Sequence, residues 1–186
     1  MPIAAGNRLS PRFFAKPARN NPLVLLYHWP SFAFLAAALL ADARTMREKL
    51  AAQFPGRDIW DIKFAPGGLV DIEFIAQAAQ LAAAQTGKDV LDQNTFAALE
   101  KLAAAGVLAE GNAAALMAAA RLEHNLTQVL RIAIDGPFKP ETATRGLKAL
   151  LARAGGASDF AVLEARLAET ENAVRAIFDR QLPPVA

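Results

Sequence analysis

The first feature of this sequence that could bind a charged ligand is a lysine followed closely by two glycines. Lys63 precedes Gly67 and Gly68, and a helical pattern begins directly after them. Glycines at the start of a helix let backbone amides approach a phosphate group, and a lysine can place a positive charge beside it. An ordinary strand-to-helix turn also explains the glycine pair, and a solvated edge position also explains Lys63, so both interpretations stay open.

Two carboxylates follow in the first turn of the predicted helix. Asp71 and Glu73 suit the positive end of the helix dipole. Side chains two residues apart on a helix diverge by about 200°, so these two cannot easily chelate one metal ion together. We expect them to complement the dipole and to pair with Lys63 or an arginine. In a functional site, they would position such a cation near phosphate.

A second polar group lies on the longest predicted helix. Arg121, His124 and Gln128 belong to one polar stretch of that helix, and such a stripe is typical of a ridge that packs against a neighbouring domain. His28 and His124 are the only histidines, they lack metal-ligand spacing, and there is no cysteine, which argues against a zinc site. The sequence also lacks a nucleophile elbow and a Ser/His/Asp set, so no catalytic residue is assigned.

The lysine and the carboxylates depend on two predicted elements for their position. Trp60, Ile62 and Phe64 alternate with polar residues, which predicts a short extended strand before the glycine turn. From Leu69 the period becomes helical, and Gly87 is a natural end for that helix. We call residues 60–77 the double-glycine segment. Further helices are predicted over residues 38–54, from Asn94 or Thr95 to 105, over 112–134 and 141–154, and from an N-cap at Ser158 to 182.

The composition predicts an all-α fold. Apolar residues make up 54% of the 186 residues, alanine is abundant, and alanine is the best helix former. Connections of about two to eight residues fit antiparallel neighbours. We therefore predict an antiparallel bundle of five to six helices, with one short extended segment before Gly67 and Gly68.

The first 40 residues differ in character from residues 41–186. Residues 1–50 carry seven lysines and arginines against two acidic residues, whereas the remainder carries thirteen against sixteen. The mildly acidic remainder argues against a nucleic-acid surface. Prolines make residues 1–22 an irregular arm, and the apolar stretch Leu23–Ala41 invites a membrane-anchor interpretation. Because His28 and Pro30 interrupt that stretch, we favour a helix that begins near Ser31.

One known family shares the double-glycine segment. Lys63, the pair Gly67 and Gly68, and the run from Asp71 to Gln77 resemble the signature of glutamine synthetase adenylyltransferase, at the point where its C-terminal nucleotidyltransferase domain joins the following helical domain. The uridylyltransferase of the PII signalling protein shares a looser form of the pattern. The similarity runs from about Met46 to about Leu182, and a weaker family pattern covers Arg121, His124 and Gln128.

The resemblance implies a cytoplasmic enzyme that transfers AMP from ATP to a tyrosine of glutamine synthetase, with magnesium and under control of the PII protein and glutamine. It also implies that five residues lie beside the nucleotide or at a domain interface: Lys63, Gly67, Gly68, Asp71 and Glu73. The polar stretch of Arg121, His124 and Gln128 would dock a partner. The sequence shows no Gly-Ser turn followed by Asp-x-Asp, so we expect this chain to lack the catalytic domain and to be inactive alone. The alternatives are a non-catalytic helical interaction module and a membrane-anchored helical protein.

Overall fold

Six α-helices account for most of the described chain. The computed structural model of the protein describes residues 22–184, with side chains from residue 35 onward. The helices are α1 (Pro22–Gln53), α2 (Leu69–Ala84), α3 (Thr95–Ala104), α4 (Glu110–Ala133), α5 (Arg145–Ala154) and α6 (Phe160–Gln181), with a 3-10 turn at Pro140–Thr142. No β-strand occurs in these residues. The prediction of an all-α bundle of five to six helices is therefore confirmed.

Helix α2 is the central element of the bundle. It packs against α1, α3, α4 and α6. Its sequence is apolar nearly all the way round, and such a helix is stable in water only when it is covered on several sides. More than half of its residues are buried: Val70, Asp71, Ile72, Ile75, Ala76, Ala78, Ala79, Gln80 and Ala83.

The hydrophobic core has two parts, and α4 and α6 contribute to both. The first cluster joins α2, α3, the start of α4 and the end of α6, and its larger members include Ile72, Ile75, Leu99, Leu102, Leu116, Val174, Ile177 and Phe178. The second cluster consists of Trp60, Ile62, Leu122, Leu126, Phe138, Leu151, Leu163 and Leu167. The middle turns of α4 and α6 therefore lie where the two clusters meet.

The predicted strand before the glycine turn is wrong. Residues 59–64 form consecutive turns, in which the amides of Asp61 and Ala65 donate to the carbonyls of Asp58 and Asp61 at 3.1 and 2.9 Å. Trp60 and Ile62 are both buried in the second cluster. The alternation of apolar and polar residues therefore reflects turns that bring alternate side chains to the same core, rather than a pleated strand.

Helix α1 begins earlier than predicted. It starts at Pro22 and continues through Pro30, so Ser31 is not its N-cap. Proline removes one backbone hydrogen bond, but many of the surrounding residues are leucine and alanine, which favour helix. The predicted arm up to residue 21 lies outside the described residues. Within the described residues, no helix combines the length and apolar character that crossing a membrane requires.

Two helix caps test the sequence signals directly. Of the two predicted candidates, Asn94 and Thr95, Asn94 caps α3, because its Oδ1 accepts from the amides of Phe96 and Ala97 at 3.0 and 3.2 Å. Helix α6 is capped by Asp159, whose Oδ1 accepts from the amide of Val162 at 2.9 Å. The prediction of Ser158 was therefore wrong by one residue, since a carboxylate follows it directly and takes the same role.

Candidate functional site

The two glycines lie where the chain passes very close to other backbone. Both are buried, and Gly67 has a φ of +88°. A Cβ on Gly67 would lie 1.9 Å from the carbonyl oxygen of Glu171 in α6, and a Cβ on Gly68 would lie 2.1 Å from the carbonyl oxygen of Ile62. Glycine is required at both positions because any side chain would collide with backbone atoms.

The amides of these glycines are already used inside the fold. The N–H of Gly67 donates to Asp71 Oδ2 at 2.7 Å, and the N–H of Gly68 donates to the carbonyl of Ala65 at 2.9 Å. A phosphate group at this helix start would have to displace both bonds. In this structure the pair therefore acts as a tight turn between two packed backbones.

Asp71 of α2 forms ion pairs with arginines of α1 and α6. Its carboxylate is fully buried and lies 2.5 Å from Arg47 Nε of α1 and 3.3 Å from a guanidinium nitrogen of Arg175 in α6. Arg47 also donates to the carbonyl of Phe64 at 3.2 Å. By accepting from Gly67, Asp71 reaches back from the first turn of α2 as the acidic member of a capping box does. Two arginines and one amide thus satisfy this buried charge.

Lys63 and Glu73, in contrast, are exposed. The Nζ of Lys63 lies 5.1 Å from the centre of the Phe64 ring, a weak cation–π contact. Glu73 points away from the buried ion pairs, as the spacing of two residues from Asp71 requires. The structure therefore separates the five predicted residues: Gly67, Gly68 and Asp71 are internal, whereas Lys63 and Glu73 face outwards.

Lys63 lines a large cleft in the described part of the molecule. The cleft has a volume of about 800 Å³ and lies between the turns of residues 57–63, the end of α4 and the segment 135–141. Its apolar lining includes Trp60, Ile62 and Phe138, and Trp60 stacks on Phe160 with ring centres 5.3 Å apart. Its charged lining residues are four basic and four acidic: Arg57, Lys63, Arg131, Lys139, Asp58, Asp61, Asp135 and Glu141.

Most of the basic groups in this cleft are not held by carboxylates. Arg57 lies 3.8 Å from Asp61, but among residues 35–184 no ion pair holds Lys63, Arg131 or Lys139. These three cations can therefore meet an anionic group of a ligand or a neighbouring domain. Among the described residues, no three carboxylates or histidines come together as metal ligands.

The second predicted group forms an outer ridge on α4, which we call the α4 ridge: Arg121, His124 and Gln128. Arg121 and His124 are exposed and Gln128 is half-buried. The ring Nε2 of His124 lies 3.5 Å from Gln128 Nε2, and the Arg121 guanidinium lies 5.5 Å from the centre of the Phe96 ring. None of the three lines the cleft, so the structure presents two separate surfaces.

Sequence reasoning missed a pair of buried carboxyl groups. Glu123 of α4 is fully buried and Glu171 of α6 is 5% exposed. Burial, with the nearby charges of Glu171 and Asp71, raises the pKa of Glu123 to about 9. Burial, with the charge of Asp58, raises the pKa of Glu171 to about 8. Helical spacing could have revealed both positions, since Glu123 follows Ala119 and Glu171 follows Leu167 by one turn on the buried face.

Comparison with known proteins identifies the family. The model of the GlnD PII-uridylyltransferase family matches residues 44–182. The bifunctional glutamine synthetase adenylyltransferase/adenylyl-removing enzyme of Rhodopseudomonas palustris (strain HaA2) is 49% identical over 144 residues, which is 77% of this chain and 15% of that protein. The proteins of the same name from Bradyrhizobium diazoefficiens and Xanthobacter autotrophicus are 46% and 44% identical over 76% and 80% of this chain.

The chain thus spans about one seventh of the length of the curated relatives that it matches. The match includes the double-glycine segment, the cleft and the α4 ridge, all of which fall between residues 44 and 182. It confirms the resemblance that the sequence motifs predicted. The chain belongs to the GlnD PII-uridylyltransferase family, and it is similar to a segment of the glutamine synthetase adenylyltransferases.

Proposed function

We propose that this chain serves as the helical domain of a glutamine synthetase adenylyltransferase and supports a neighbouring nucleotidyltransferase domain. The observation that carries the proposal is the match of residues 44–182 to the family together with identities of 44–49% to the adenylyltransferases. In this proposal, the neighbouring domain transfers AMP from ATP to a tyrosine of glutamine synthetase in the cytoplasm, and the PII protein regulates the reaction.

The cleft beside Lys63 is the surface that we assign to the nucleotide side of that neighbour. Lys63 is exposed and lines the cleft, and Arg131 and Lys139 add two more cations. Positive groups at such a place can stabilise the charge of a triphosphate or of a departing pyrophosphate. In this proposal the neighbouring domain holds ATP and Mg²⁺, with one or two carboxylates and the nucleotide phosphates as ligands of the metal ion.

A segment exchange tests the proposal. Residues 44–182 of this chain would replace the matching segment of the Rhodopseudomonas palustris enzyme, and AMP transfer to glutamine synthetase would be measured with ATP and Mg²⁺. We expect the hybrid enzyme to transfer AMP, and the isolated chain to show no transfer. A folded hybrid without activity would contradict the proposal, and stoichiometric turnover by the isolated chain would contradict the need for a neighbouring domain.

Substitution of Lys63 in the hybrid tests the assigned surface. We expect Lys63→Ala to lower AMP transfer by about tenfold, which corresponds to one lost charge contact of about 1.4 kcal/mol, without a change in thermal stability. Lys49→Ala is the matched control, because Lys49 is an exposed lysine on α1 that does not line the cleft. Equal activities of the Lys63→Ala and Lys49→Ala variants would show that Lys63 in the cleft does not contribute to AMP transfer.

The second candidate is a helical interaction module without catalysis. The α4 ridge favours it, since this exposed polar surface is separate from the cleft. A pull-down with the purified 186-residue chain distinguishes the two. Recovery of glutamine synthetase or the PII protein supports the adenylyltransferase proposal, whereas binding only to unrelated proteins supports the module.

A further inference from the structure

Glu123 and Glu171, the carboxyl pair, lie where the two hydrophobic clusters meet. On α4, Glu123 lies between Ala119 of the first cluster and Leu126 of the second. On α6, Glu171 lies between Leu167 of the second cluster and Val174 of the first. The carboxyl pair therefore occupies the one level of the α4–α6 contact at which apolar packing changes from one cluster to the other.

Neither carboxyl group is satisfied by its surroundings. Both oxygens of Glu123 and the Oε1 of Glu171 have no hydrogen-bond partner among the described residues. No ion pair involves either glutamate within residues 35–184. A buried ionised carboxylate without donors is very unfavourable, whereas a neutral carboxyl group costs much less. The geometry alone therefore favours the protonated form of the pair.

The charged groups around the pair also disfavour its ionisation. Asp71 of α2 faces Glu123, and Asp58 of the preceding loop faces Glu171. The two cations beside Asp71, Arg47 of α1 and Arg175 of α6, are bound to that carboxylate. Within residues 35–184, none of the other charged groups on the helices that pack against α4 or α6, or on these two helices, forms an ion pair with the glutamates: Glu73 on α2, Glu100 and Lys101 on α3, Glu110, Arg121 and Arg131 on α4, Arg145, Lys148 and Arg153 on α5, and Glu164, Arg166, Glu169, Asp179 and Arg180 on α6.

We propose that the carboxyl pair makes the α4–α6 contact proton-dependent: the contact is closed while both groups are neutral, and it loosens when they ionise. Ionisation would place two unpaired negative charges in this buried contact, Glu123 beside Asp71 and Glu171 beside Asp58. The cleft adjoins the pair, because its lining includes Thr127, one turn after Glu123, and Asp58. The hydroxyl of Thr127 is buried and also lacks a partner.

The direction of the pH effect follows from the raised pKa values. In the unfolded chain a glutamate titrates near pH 4.3, whereas Glu171 and Glu123 in the fold titrate at about 8 and about 9. Between these limits the folded state binds more protons than the unfolded state. The stability that the pair contributes is therefore complete below the unfolded pKa and is lost as the pH rises through about 8 and 9.

Thermal unfolding of the 186-residue chain between pH 6 and pH 10 tests the proposal. We expect the thermal midpoint of the wild type to fall by at least about 5 °C over this range. In a chain of this size, each kcal/mol lost from the free energy of unfolding lowers the midpoint by a few degrees. The double variant Glu123→Gln/Glu171→Gln keeps the shape of both side chains but cannot ionise, so its midpoint should change much less. Glu169→Gln is the matched control, because Glu169 is exposed on α6 two residues from Glu171. It should follow the wild type.

A direct readout covers the case in which the double variant does not fold. The wild-type chain labelled with ¹³C at glutamate carboxyl carbons would be titrated by NMR, and two carboxyl signals should titrate well above the others and remain protonated at pH 7. Hydrogen exchange at the middle turns of α4 and α6 should accelerate as those signals titrate. Wild type and double variant with the same pH dependence, or no glutamate titrating above pH 6, would overturn the proposal.

Discussion

The double-glycine segment and the α4 ridge differ in how much of their polar chemistry the fold already uses. In the double-glycine segment, Asp71 is completely buried and bound to two arginines, and the amide of Gly67 is bound to Asp71. On the α4 ridge, His124 is exposed, and its one polar contact is a 3.5 Å approach to Gln128. Both stretches resemble the family pattern, but the polar groups of the first are bound inside the fold, whereas those of the second are largely exposed.

A residue can belong to a distinctive sequence pattern because the fold requires it or because something outside the domain requires it, and this difference separates the two cases. The fold demands a glycine whose added Cβ would lie 1.9 Å from a backbone oxygen, and a buried carboxylate that is bound to two arginines. An exposed histidine whose one polar contact is a long approach to a neighbouring side chain is not demanded by the fold, so any constraint on it comes from outside the domain. We therefore expect changes in the first stretch to affect folding and changes in the second to affect binding or activity.

Gly67→Ala should have the largest effect on stability. The substitution forces a side chain into left-handed backbone at a φ of +88° and against the carbonyl of Glu171, so we expect a loss of about 3–5 kcal/mol in the free energy of unfolding. Urea denaturation measures it. Gly87→Ala is the control, because Gly87 has a φ of +76° with nothing within 4 Å of the added atom, and it should cost only about 1–2 kcal/mol. Equal losses would show that the close approach to α6 is unimportant.

Asp71→Asn should have the next largest effect. The amide keeps the shape of the side chain but leaves Arg47, which is 2% exposed, without a carboxylate. Removing one partner of a buried ion pair costs about 3–5 kcal/mol. We expect a loss of about 3 kcal/mol, because the amide oxygen of asparagine can still accept a hydrogen bond. The control Asp179→Asn removes an exposed partner of Arg44 and Arg175 and should cost less than about 1 kcal/mol. If the two variants lost similar free energy, the buried network would not be what holds the segment.

Local sequence signals predicted the helices and several of their limits. Asn94 was identified as a cap because its side chain and the amides that it binds are neighbours in sequence. The fold class followed from composition and spacing alone, since alanine-rich helical periods leave few other architectures. Such features need no knowledge of the distant parts of the chain.

The features that the sequence could not predict depend on contacts between distant residues. The turns at residues 59–64 read as a strand because burial of Trp60 and Ile62 in the second cluster produces the same alternation. The partners of Asp71 come from residues 24 and 104 positions away, so only the assembled bundle shows which arginines they are. Helical spacing places Glu171 on the buried face of α6, but the charge of Asp58 beside it depends on how the loop at Asp58 lies against α6.

Substitutions on the α4 ridge should have the smallest effect on stability and the clearest effect outside the domain. The double variant His124→Ala/Gln128→Ala removes one long contact at the surface, so its free energy of unfolding should stay within about 0.5 kcal/mol of wild type. In the hybrid enzyme we expect AMP transfer to glutamine synthetase to fall by about tenfold, as loss of about 1.4 kcal/mol from a docking contact predicts. Urea denaturation and the transfer assay together separate the two effects. A variant that loses stability instead would place the ridge with the internal features of the fold, and one that keeps both its stability and full activity would show that the ridge is not a docking surface.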